Sequence, residues 1–115
     1  MASKIAKVSY DSKEDILYVR LGEPISDSIP HGEFVIDFSK EKIVGMEIAN
    51  ASKQLFEGLP KEIDPKKSLA SIKEARFGVR EAKGILWIGI AFRIIWQEKE
   101  YRPLLQISVP QVVMA

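Results

Sequence analysis

The sequence predicts an α+β fold that is mainly antiparallel β, with about seven strands in sequential hairpins and one or two short helices. Three observations predict it. Ile85 to Trp96 is an unbroken run whose even positions Leu86, Ile88, Ile90, Phe92, Ile94 and Trp96 are all large and apolar, against a lighter odd set that includes Gly89, Ala91 and Arg93. That two-residue period marks a long strand with one heavy face, and it is too short for a membrane helix, which needs about twenty apolar residues. Alternating stretches divided by polar turns recur through the first half of the chain. Only one segment, around Ala51, changes cleanly to a helical period.

The first predicted strand is Lys4 to Tyr10, with Ala6, Val8 and Tyr10 on one face. Asp11-Ser12-Lys13-Glu14-Asp15 breaks it with residues that bond their own backbone, and Ile16 to Leu21 returns as the second strand of a hairpin. Gly22-Glu23-Pro24 ends that hairpin, and Ser26 to Gly32 reads as a loop. Glu33 to Phe38 and Lys42 to Ala49 then form a second hairpin about Ser39-Lys40-Glu41. Two sequential hairpins suggest an antiparallel meander with one solvated face.

Asn50 or Ser52 can cap a helix of about two turns that presents Ala51, Leu55 and Phe56 to one side and closes at Gly58. The stretch from Leu59-Pro60 to Asp64-Pro65 is punctuated by prolines and reads as a linker. Ser68 to about Ile72 fits a helix or turn. Glu74 to Ala82 reads as a strand because Phe77-Gly78-Val79 suits a helix poorly. Lys83-Gly84 turns into the long strand, and Gln97 to Glu100 turns out of it. Tyr101 to Val109 is a final strand, with Pro103 and Pro110 pointing to an edge position. The predicted core is Leu17, Val19, Leu21, Val44, Met46, Ile48, Ile88, Ile90 and Phe92.

At 115 residues the chain is read as one domain, 1–115. Its net charge of +1 hides a division between halves: residues 1–60 hold seven basic and ten acidic side chains, and residues 61–115 hold ten and six. The second half is therefore mildly basic. There is no cysteine, which excludes disulfides and thiolate metal sites and makes a reducing cytoplasm the expected setting. The first residues carry no apolar segment of the kind a secretory signal needs.

In order, Val8-Ser9-Tyr10-Asp11, Asp15 to Leu21, Val35-Ile36-Asp37-Phe38, Ile43 to Ile48 and Asn50-Ala51-Ser52-Lys53 resemble the small prokaryotic domain-of-unknown-function 2283 family. The resemblance covers residues 4–56. The further β-rich half, 66–110, departs from the family pattern. The resemblance implies a fold and no activity. Some members look like antitoxin partners of small toxins, which implies a protein-binding role.

Candidate chemistry is sparse. His31 is the only imidazole, and its sequence neighbours supply no metal-ligand or general-base spacing. Asp37 and Glu47 lie on paired strands, with the turn at Ser39 to Glu41 placing Asp37 near Ile43 and Glu47 opposite Glu33. His31, Asp37 and Glu47 are thus the candidates for a ligand site. Asp11, Glu14 and Asp15 crowd one turn, but lack the calcium-loop spacing, so a solvated turn is the reading. Arg76, Arg80, Arg93 and Arg102, interleaved with Trp96 and Tyr101, are the candidates for binding single-stranded nucleic acid by phosphate pairing and stacking; four glutamates nearby offset that charge. No glycine-rich phosphate loop, nucleophile elbow or metal signature is present, so no catalytic residue, metal or cofactor is assigned, and the common enzyme classes are disfavoured.

The expectation is a non-enzymatic interaction module, a homodimer that presents the lighter face of the long strand, with Trp87, Ala91 and Ile95 as contacts. A small protein is the further partner class, and a membrane is not expected.

Overall fold

The computed structural model describes residues 3–110, and holds ten strands and two short helices among them. The strands are β1 (Ser3–Ile5), β2 (Lys7–Asp11), β3 (Ile16–Arg20), β4 (Asp27–His31), β5 (Phe34–Ser39), β6 (Lys42–Ala49), β7 (Glu74–Ala82), β8 (Ile85–Trp96), β9 (Lys99–Tyr101) and β10 (Leu104–Pro110). The helices are α1 (Ala51–Phe56) and α2 (Pro65–Leu69). The mainly antiparallel α+β reading holds, with ten strands in place of about seven.

Three of the added strands come from specific places. The predicted first strand divides at Ala6, whose backbone N–H donates to Ala75 O at 2.8 Å, so β1 joins one sheet and β2 the other. The segment read as a loop at Ser26 to Gly32 contains β4, which pairs along β5 from Asp27↔Phe38 to His31↔Phe34. Its Pro30 lacks a donor and is tolerated because β4 is an edge. The last predicted strand divides at Arg102-Pro103 into β9 and β10, both paired to β8.

One sheet runs β1-β7-β8-β10, with β9 also on β8; the other runs β2-β3-β6-β5-β4. The second is not the simple meander expected, because β3 pairs with β6 and leaves β4 and β5 as an outer hairpin. The core lies between the sheets. Leu17, Val19, Val44, Met46, Ile48, Ile88, Ile90 and Phe92 are buried as predicted, while Leu21 is partly buried against them. Phe77, Ile36, Ile94 and Leu69 are also buried. Alternation along β8 holds over its length: Ile88, Ile90, Phe92 and Ile94 point inward, and Ile85, Ala91 and Ile95 are exposed. No helix among the described residues is long and apolar enough to cross a membrane.

Candidate functional site

Register decides which side chains share a face, because partners across an antiparallel pair project to the same side. On the outer face of the β7–β8 sheet, one row runs Ile5, Arg76, Ala91 and Leu104 across β1, β7, β8 and β10. The next holds Ser3, Gly78, Gly89 and Gln106, and the one beyond it Arg80, Trp87 and Ser108. Ile5 and Leu104 are each 64% exposed, and Ile95 and Ile85 are 37% exposed. Trp87, Ala91 and Ile95 therefore lie together on this face, around a centre that two glycines keep flat.

The arginines lie on the same side. Arg76 Nε approaches Glu74 at 3.4 Å, and Glu100 accepts from both Arg93 Nε at 2.6 Å and Arg102 Nε at 2.7 Å. Those two guanidinium groups hold the Glu100 carboxyl below its ordinary range. Trp96 and Tyr101 belong to the other face: Trp96 continues the inward series of Phe92 and Ile94, and Tyr101 is paired in register with Ile94. The arginines and these two aromatic rings are not brought together.

His31, Asp37 and Glu47 are separated as well. His31 pairs with Phe34 and borders a small cavity of about 130 Å³ with Ile29, Ile36, Phe38, Leu86 and Val109. Asp37 and Glu47 are on the opposite side of their sheet, where Asp37 pairs with Gly45 and Glu47 with Val35. The expected pairings, Asp37 with Ile43 and Glu47 with Glu33, are shifted for two reasons. Ser39 pairs with Lys42, leaving a two-residue turn with Lys40 at φ 59°, and a bulge sets Ile43 and Val44 against Phe38. Among the described residues no group of three or more His, Asp or Glu side chains could hold a metal ion.

Asp37 is only 1% exposed. Its Oδ1 accepts from Ser28 Oγ at 2.7 Å, and its Oδ2 is buried without a hydrogen-bond partner among the described residues. Gly45 beside it has no room for a side chain: an added Cβ would lie 2.8 Å from Val19 O and 3.3 Å from Asp37 Oδ2. Arg20 crosses this glycine and places its guanidinium 5.0 Å from the Tyr18 ring centroid.

The group that sequence reading missed is Tyr10, Asp15 and Ser52. Asp15 turns the chain in the left-handed region (φ 56°), and its carboxylate accepts from Tyr10 OH at 2.6 Å, Ser52 Oγ at 2.6 Å and the Ser52 backbone N–H at 3.1 Å. Its backbone O also accepts from Ala51 N at 3.0 Å. Asp15 thus caps α1, a task that Asn50 does not perform, since its side chain makes no capping bond. Burial works to raise the Asp15 pKa, but the bonds from Ser52 and Tyr10 and the charge of Lys66 outweigh it and hold the carboxyl low. Burial and the same Asp15 carboxylate push the Tyr10 phenol well above its ordinary value. Asp11 supplies the solvated part of the turn, its Oδ1 accepting from Lys13 N and Glu14 N.

These features define a two-sheet antiparallel fold in which Asp15 ties β2, the turn after it and the start of α1. Residues 7–52 match the model of a family described as "Protein of unknown function (DUF2283)". That segment covers β2 to the start of α1, and includes Tyr10, Asp15 and Ser52. The chain matches none of the curated proteins, and none of the solved structures, at a significant level.

Proposed function

We propose that this protein is a non-enzymatic, cytoplasmic interaction module that homodimerises through the outer face of the β7–β8 sheet and its β10 edge. The observation that carries the reading is the set of exposed apolar side chains Ile5, Ala91 and Leu104, interrupted in their row by Arg76, with Trp87, Ile85 and Ile95 on the same face. Apolar surface of this kind is a recognised mark of an association face. Arg76, Arg93 and Arg102 have carboxylate partners and stay paired when the face is covered, whereas Arg80, beside Trp87, has no ion pair within 4.0 Å among the described residues and must stay at the solvated rim of the contact.

A second copy is the occupant because of the sheet edges. β2 carries Lys7 and Asp11, β4 carries Asp27 and Pro30, and β1 is three residues long; charge, proline and shortness are common devices against edge pairing. β10 is seven residues long with no charged side chain, and its one proline, Pro110, stands at its last position. An antiparallel strand is complementary to its own two-fold copy, so such an edge can close a symmetric dimer. Sedimentation equilibrium tests this: the expected mass is twice the 13.0 kDa of the chain, and a 13.0 kDa monomer throughout the micromolar range overturns it. An antitoxin-like role, in which the dimer holds a small toxin-like protein, is supported by the family likeness of the first half alone. Co-purification with the product of the adjacent gene tests that finer reading.

A further inference from the structure

The two sheets part at one end of the molecule and leave a cleft of about 360 Å³. Apolar side chains make half of its lining: Phe77, Val79 and Leu86 come from one sheet and Leu21 and Ile43 from the other. The volume is at the low end of the range for small-molecule sites, about 300–1,000 Å³.

The charges around it are arranged in an ordered way. Lys4 pairs in register with buried Phe77, so it projects toward the cleft and not toward the solvent face. Glu81 pairs with Leu86 and shares the inward side of β7 with Phe77 and Val79. Glu41 comes from the opposite sheet, at the β5–β6 turn. The other charged wall residue, Lys42, is held by Glu23 at 3.0 Å, whereas Lys4, Glu41 and Glu81 have no ion-pair partner within 4.0 Å among the described residues. Guarding an edge strand accounts for one inward lysine. It does not account for two carboxylates that reach the same cavity from opposing sheets.

Phe77, which marks the Lys4 end, is four residues from Glu81 along β7, a separation of roughly 13 Å at strand rise. Lys4 and Glu81 thus stand at opposite ends of the β7 wall, with the apolar side chains of Phe77 and Val79 between them. We infer that the cleft binds a short apolar peptide with free termini, its carboxylate toward Lys4 and its ammonium toward Glu81. Two to three extended residues, at about 3.3–3.6 Å each, together with the reach of the Lys and Glu side chains, span that length. The site lies on the inward side of the sheet, away from the proposed dimer face, and is independent of it.

Titration of the ¹⁵N-labelled protein with the dipeptide leucyl-phenylalanine, followed by amide shifts, tests the inference. Shifts are expected at Val79, Glu81, Leu86 and Ile43. The N-acetylated and C-amidated forms should each bind more weakly by roughly threefold, the scale of one solvent-exposed charge pair. Lys4→Ala should abolish the preference for the free carboxylate, and Glu81→Gln should reduce the preference for the free amine. Both positions are exposed, and the unliganded spectrum reports directly that each variant is folded. Equal binding of all three peptides, shifts elsewhere only, or no shift at millimolar dipeptide overturns the inference.

Discussion

The Tyr10 hydroxyl donates a 2.6 Å hydrogen bond to Oδ1 of Asp15, the same residue whose carboxylate receives the Ser52 backbone N–H from 37 positions further along the chain. One side chain thus ties the first strand of its sheet, the following turn and the start of α1. A short helix of six residues gains little from its own backbone cooperativity, so this tie fixes where it begins. Replacing Asp15 by Asn keeps the shape but turns one accepting oxygen into an N–H₂ donor that faces another donor, and removes the charge at the helix start. A stability loss of about 1–3 kcal/mol in denaturant unfolding is the expected result.

The same pair predicts a stability plateau with two edges. Asp15 titrates lower in the folded chain than its ordinary 3.8, so its contribution is complete above that pH and is lost as pH falls through the folded value. Tyr10 titrates higher than its ordinary 10.0, so its contribution is complete below that pH and is lost as pH rises through the folded value. Thermal unfolding measured across pH should show both losses. Asp15→Asn should flatten the acid edge, and Tyr10→Phe the alkaline one.

Gly45 predicts a steric effect with no change of charge. Its place in β6 demands no unusual backbone angle, yet a Cβ would meet the fixed carbonyl of Val19 at 2.8 Å. Gly45→Ala should therefore destabilise the protein by about 1–3 kcal/mol, the range for overpacking, although alanine is not a poor strand residue in itself. Chemical denaturation with an unchanged m-value checks it.

How far the fold was legible depended on whether the signal was local. The period of β8 could be read directly, because Ile88, Ile90, Phe92 and Ile94 are buried and the odd positions carry the exposed side chains. The strand at Asp27–His31 was hidden by Pro30 and by polar residues, which an edge strand accepts and a central one does not. The register of Asp37 was lost to a bulge, which adds one residue without a composition signal of its own. Tyr10, Asp15 and Ser52 all stood within the motifs that resembled the family, but their convergence depends on a contact 37 residues apart. The cleft depends on where two sheets diverge, and no single segment records that.

Ser28 and Asp37 predict an asymmetric pair of variants. Ser28→Ala removes the donor to Oδ1 from a carboxyl that is buried and whose other oxygen already lacks a partner. It should cost about 1–3 kcal/mol, the penalty for leaving a buried polar group unmade. Asp37→Asn keeps an oxygen to accept from Ser28 and puts an uncharged amide at this buried position, so its cost should be smaller than that of Ser28→Ala. The two denaturation curves, measured together, decide it; a larger loss for Asp37→Asn would show that the charge itself holds this end of the sheet.

Ile94 and Ile95 are adjacent on β8 and give the sharpest separation of stability from association. Ile94 is fully buried between the sheets, whereas Ile95 is 37% exposed on the outer face. An aspartate at position 94 must enter the core without a partner, and Ile94→Asp should leave the chain unfolded. Ile90→Asp and Ile88→Asp should behave alike, since both side chains are buried. Ile95→Asp should fold with near-normal circular dichroism, yet sediment as a monomer, because two copies would bring like charges into one apolar contact. Trp87→Asp and Leu104→Glu share that outer face and should give the same folded monomer. If Ile95→Asp instead unfolds as Ile94→Asp does, the face contributes to the fold and not to a dimer.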